Sequence, residues 1–126
     1  MRRPNEGSHV PDLSFINPTP SGLPFSQGVQ AGNLLFVAGQ VGTGDGVAEQ
    51  TRSALDGVRA VLAEAGGDLI NVVSTTVYLT DVADFAAYNE AWVEAFGDHR
   101  PARATVRADL MGPDYLVEVQ AIAVLG

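Results

Sequence analysis

The apolar residues of this 126-residue chain change period four times along the sequence, and that alternation limits the fold more than any other feature. Leu13–Ile16, Ser26–Ala31 and the continuous run Leu34–Ala38 read as strands, the last of buried-strand length. From Val47 to Ala65 the period becomes helical: Leu55, Val58, Leu62 and Ala65 recur at spacings of three and four, and Gly66-Gly67 stops the helix. Leu69–Leu79 returns to strand, rich in β-branched Val72, Val73, Thr75, Thr76 and Val77. A second helix carries Phe85, Tyr88, Trp92 and Phe96 on one face, with Asp81 or Asp84 as its cap and Gly97 at its end. Its aromatic stripe reads as core. Ala102–Leu110 and Tyr115–Leu125 are the last two strands, and the turn Met111-Gly112-Pro113-Asp114 predicts that they pair as an antiparallel hairpin.

Strands, helix, strand, helix, two strands is an α+β order: a single mixed sheet with both helices packed on one face. Leu34–Val37 and Val117–Val124 are apolar enough to bury both faces of that sheet, yet the chain has nothing left to cover the second. Self-association is the expected solution. Residues 1–12 read as a flexible leader and 13–126 as one domain. No secretory signal or membrane-spanning run is visible, so a cytoplasmic protein is expected.

Composition narrows the chemistry. All seven basic residues are arginine, against fifteen Asp plus Glu, giving a formal net charge of -8; lysine and cysteine are absent. That excludes a Schiff-base lysine, a phosphate-loop lysine, a thiolate nucleophile and cysteine-ligated zinc. The acidic balance argues against nonspecific binding to nucleic acid or anionic membranes. Gly39–Gly46 fits neither nucleotide-binding glycine pattern and reads as a flexible turn. His9 and His99 are isolated, which gives no metal site.

The strand from Ala102 holds the most informative pattern. Arg103, Thr105, Arg107 and Asp109 alternate with Ala102, Ala104, Val106, Ala108 and Leu110. The small apolar face is expected under the helices, and the polar face toward solvent, a partner subunit or a ligand. An arginine fork on a rigid strand suits a carboxylate ligand, and Glu118 on the next strand is placed to activate water. A purely structural Arg–Glu pair explains the same residues, because a tight hairpin sets Glu118 opposite Arg107 rather than Arg103.

Four stretches together resemble the RidA/YjgF family of reactive-intermediate deaminases. They are Pro24–Val29, Gly32–Gln40, Asp81–Asn89, and Pro101–Val106 running on to Val117–Ala123. The resemblance implies a chorismate-mutase-like fold and a homotrimer with ligand clefts between subunits. It implies an enzyme of the 2-iminobutanoate/2-iminopropanoate deaminase type, hydrolysing enamines and imines to 2-keto acids and ammonia with no metal or organic cofactor. By position, Arg103 would hold the substrate carboxylate and Glu118 would orient water, approaching Arg103 across the interface. Asn89 would line the cleft, with Gly39 and Thr105 offering backbone groups. Phe25, also at the substrate site, stands where the family usually has tyrosine; Ala38 replaces a serine and Thr105 a cysteine. The alternative within the same fold is a noncatalytic binder or sensor of small carboxylates or 2-keto acids. A ribonuclease is the weakest reading, given the charge.

Overall fold

The structure, a computed structural model, describes residues 12–126. The expected leader therefore lies outside the described residues, apart from Asp12. Six strands form one mixed sheet: β1 (Leu13–Ile16), β2 (Gly28–Ala31), β3 (Leu34–Val41), β4 (Val72–Leu79), β5 (Ala102–Arg107) and β6 (Val117–Val124). Helix α1 (Val47–Glu64) joins β3 to β4, and α2 (Phe85–Phe96) joins β4 to β5. Spatial order is β1-β2-β3-β6-β4-β5. The α+β class, with both helices on one face, agrees with the alternation of periods.

The core lies between that face and the helices. On α1 the buried residues include Thr51, Ala54, Leu55, Val58, Val61 and Leu62, at spacings that keep them on one side. They meet Leu35 and Val37 of β3, Val77 and Leu79 of β4, and Val117, Val119, Ala121 and Ala123 of β6. Side chains alternate across a strand, so the residues between these occupy the opposite, open face. There a row runs straight across the register: Phe15, Val29, Phe36 and Ile122. Phe15 and Phe36 are 63% and 44% exposed, so the apolar second face remains uncovered in a single chain.

The C-terminal half differs from expectation. β5 and β6 are not a hairpin. β5 runs parallel to β4 at the sheet edge, and β6 inserts antiparallel between β3 and β4. Parallel neighbours need a crossover, and α2 supplies one for β4 and β5. Residues 108–116 therefore bridge from the edge strand to the interior of the sheet instead of folding β6 back on β5. Gln50 of α1 fixes the end of that bridge: its Nε2 donates to the Asp114 carbonyl at 2.9 Å, and Leu116 N donates to its Oε1 at 2.8 Å. Smaller differences sit at element ends. Residues 69–71 form a 3-10 turn ahead of β4, and Asp81 caps a 3-10 turn at 82–84, donated to by Ala83 N, while Asp84 makes no side-chain cap.

Candidate active site

Arg103 is the second residue of β5. The register sets it beside Thr75 of β4 and, one strand further, Ala121 of β6, both on the helix face. The polar face of β5 thus lies under α2, and Ala104 and Val106 face outward; this reverses the expected orientation. The cause is the aromatic stripe. The Arg103 guanidinium carbon lies 4.6 Å from the Tyr88 ring centre, 5.1 Å from Trp92 and 5.8 Å from Phe85. A planar, weakly hydrated cation stacks on such rings while its stem covers apolar surface, which alanine cannot match.

Two hydrogen bonds finish this arrangement. Arg103 Nη2 donates to Asn89 Oδ1 at 2.8 Å. Tyr88 OH and Thr105 Oγ1 are 2.9 Å apart, fixing the ring beneath the guanidinium. Tyr88 is fully buried, and burial pushes its phenol above the usual tyrosine range; the bond to Thr105 and the Arg103 charge pull the other way. Phe85, Tyr88 and Trp92 therefore act on the site, although their spacing alone marks them as core. The available signal was their helix-face spacing followed by an arginine-bearing strand.

Glu118 occupies a different place. It sits on β6 beside Val41 of β3 and Tyr78 of β4, on the open face. Between Val37 and Gln40 the β3 register slips, so Ala38 and Gly39 together oppose one residue of β6. The Glu118 carboxylate folds against this bulge: a Cβ added at Gly39 would stand 2.5 Å from Glu118 Oε2. Gly39 is thus required for close approach. Glu118 makes no hydrogen bond or ion pair with the described residues, and no side-chain oxygen among them is buried without a partner. Its carboxylate consequently meets solvent.

Phe25 belongs to the β1–β2 loop, 53% exposed, and lines a shallow cavity of about 490 Å³ formed by that loop itself. The loop is tied to the bulge, since Ala38 N donates to the Gln27 carbonyl at 2.9 Å. The expected residues thus fall into two groups. Arg103, Asn89 and Thr105 share the helix side of the sheet edge; Glu118 and Gly39 share the open face, with the Phe25 loop beside them. Strand β4 separates the groups: Arg103 and Glu118 stand two strand spacings apart across the sheet, about 9–10 Å, are offset along it from the level of Thr75 to that of Tyr78, about 10 Å more, and lie on opposite faces. One chain does not bring them together.

His99 is structural: its Nε2 is 2.7 Å from the Val72 carbonyl. His9 lies outside the described residues. No group of three or more His, Asp or Glu among the described residues is arranged to hold a metal ion, and no helix among them is long and apolar enough to cross a membrane.

One mixed sheet with two helices on a single face, and an arginine clamped beneath the second helix, places the molecule in the chorismate-mutase-like α+β class. Within that class the chain belongs to the RidA/YjgF family. Residues 17–125 match the family model described as Endoribonuclease L-PSP. A RutC family protein of Pyrococcus horikoshii is 43% identical over 114 residues, covering 84% of this chain and 90% of the relative. The Escherichia coli 2-iminobutanoate/2-iminopropanoate deaminase is 37% identical over 111 residues, covering 80% and 87%. The crystal structure of a YjgF/YER057c/UK114 family member from Mycobacterium tuberculosis superposes with a TM-score of 0.85 at 35% identity, covering 90% of this chain and all of that one.

Proposed function

We propose that this protein hydrolyses imines and enamines of 2-amino acids, such as 2-iminopropanoate and its 2-aminoacrylate tautomer, to 2-keto acids and ammonia. The observation that carries the reading is the state of Arg103. Its guanidinium is held by Asn89 and three rings and has no carboxylate partner among the described residues. Arginine has five N–H donors, so a fork remains for a substrate carboxylate. The chain's similarity to the Escherichia coli 2-iminobutanoate/2-iminopropanoate deaminase supports the same assignment.

Water adds across the substrate C=N bond. The resulting carbinolamine then expels ammonia and leaves the carbonyl. The imine carbon is already electrophilic, so the protein has mainly to orient substrate and water and to shift protons. Glu118 is the group for the water: a solvent-facing carboxylate fixed by the bulge. Since Arg103 and Glu118 lie on opposite faces, the complete site takes Arg103 from one copy and Glu118 from the next. The uncovered row of Phe15 and Phe36 supports that assembly, which we propose is the family's homotrimer.

The test couples an amino-acid oxidase to the protein and follows decay of the imine. Accelerated decay that disappears in Arg103→Ala is expected; a wild-type protein no faster than buffer across several amino acids overturns the proposal. The absence of a phenol at Phe25 favours a second reading, a binder of 2-keto acids without turnover. That reading predicts calorimetric binding that depends on Arg103 with no imine decay.

A further inference from the structure

The described arginines divide sharply. Arg52 pairs with Glu94 at 3.0 Å, and Arg59 with Asp56 at 3.2 Å and Asp68 at 3.4 Å. Arg100, Arg103 and Arg107, at and just before β5, have no carboxylate within ion-pair distance among the described residues. In a chain of net charge -8, a single edge strand keeps its cations unneutralised. A ligand with one carboxylate occupies Arg103 and leaves Arg107 idle.

Arg107 shares the helix face with Arg103 and Thr105; it lies four residues further along the strand, which separates the arginine Cα atoms by about 13 Å, a gap that two arginine side chains and a short dicarboxylate together can span. It also lines a cavity of about 260 Å³ with Leu79, Val82, Phe85, Thr105 and Val106. Arg107 lines this space directly, and Arg103 adjoins it: Phe85 both contacts the Arg103 guanidinium and forms one wall, and Thr105 stands between the two arginines on the strand. The walls are otherwise apolar, suited to the methylenes of a short carbon chain. Val82 and Phe85, 69% and 47% exposed, leave the mouth open at the sheet edge.

We infer that this cavity is a side-chain subsite and that Arg107 grips a second, distal carboxylate, so that the favoured substrates are imines of dicarboxylic amino acids and the products 2-keto dicarboxylates. The inference rests on Arg103 as the grip for the first carboxylate. Two forks held on one rigid strand discriminate by the spacing of the two carboxylates as well as by charge.

Calorimetry at fixed ionic strength on the assembled protein tests it with two acids of equal chain length, 2-oxoglutarate and 2-oxopentanoate. The dicarboxylate is expected to bind about tenfold tighter or better, the usual worth of a charge-assisted hydrogen bond. Arg107→Gln should bring the ratio of affinities near one, Arg107→Lys should keep part of it, and Arg107→Glu should invert it. Arg107 is exposed, so these variants are expected to fold. Equal affinities in the wild type, or a preference that survives Arg107→Gln and Arg107→Glu, overturns the second grip. In that outcome, loss of both acids in Arg103→Ala leaves the first grip standing. Binding of both acids that is indifferent to Arg103→Ala overturns both.

Discussion

The arginine side of the sheet and the glutamate side are built by opposite means. Around Arg103 the contacts that hold the side chain in place are all made within the chain: Asn89 accepts from the guanidinium, Thr105 meets the Tyr88 hydroxyl, and three rings cover the cation. Around Glu118 the side chain has no polar partner among the described residues, and its position comes from a missing Cβ and a slipped register. The first region is finished in one copy. The second holds a solvent-facing carboxylate on a face that is itself uncovered. A single copy thus keeps the held arginine and the exposed carboxylate apart, which is why the proposed site draws on a second.

Mixing inactive variants attacks that contrast most directly. Arg103→Ala and Glu118→Gln should each lower imine hydrolysis by about 10²-fold or more, as expected for a lost carboxylate grip or a lost proton acceptor. If each site draws one residue from each of two copies, co-refolding the two variants in equal amounts restores about a quarter of the wild-type rate, because half the copies carry each intact group. Activity that stays at the level of the single variants puts both groups of a site in one chain and breaks the comparison.

Gly39→Ala strikes the glutamate side alone. Its Cβ arrives where Oε2 now lies, so the carboxylate swings away from the bulge. A displacement of this order costs about 10–10²-fold in kcat with little change in KM. An unchanged kcat would show that the bulge does not set the Glu118 position.

Asn89→Ala is the matching probe of the arginine side. It removes the acceptor from a charged donor but leaves the aromatic stack, so KM should rise about tenfold while kcat moves less. A kcat loss as large as that of Glu118→Gln would place Asn89 in the chemical step instead.

These probes bear on what was legible in the sequence. Changes of period give element type because a helix or strand must bury its own stripe, and all eight helices and strands follow from it. Strand neighbours are another matter. Met111–Asp114 has turn chemistry, yet a turn says where the chain bends and not which strand it meets next. β6 won the interior position because Val117, Val119, Ala121 and Ala123 bury beneath the helices, whereas β5, with small outward residues, is tolerated at an edge. The same limit governs Arg103. Alternation identified the face it shares with Thr105, but ranking arginine as outward and alanine as inward ignored how well a guanidinium packs on rings. The carboxylate at Glu118 was visible as a residue type, and its bulge was not, because Gly39 reads equally as a loop glycine.

The smallest expected effect concerns the Tyr88 hydroxyl, and it asks whether the arginine side needs its last hydrogen bond. Tyr88→Phe keeps the ring under Arg103 and deletes the bond to Thr105, so KM should change less than about threefold and stability should fall by about 1 kcal/mol. The pH dependence separates this from simple packing. Burial raises the folded-state pKa of this phenol above its unfolded value near 10. Below that value both states are neutral and the contribution is fully present. Above it the unfolded chain ionises first, so stability is lost as pH climbs through the folded pKa. Denaturant midpoints at pH 9 and pH 11 should therefore fall more for the wild type than for Tyr88→Phe. Equal falls would mean that the phenol is no better shielded folded than unfolded, and that Arg103 rests on a looser platform than the geometry of Tyr88, Trp92 and Thr105 describes.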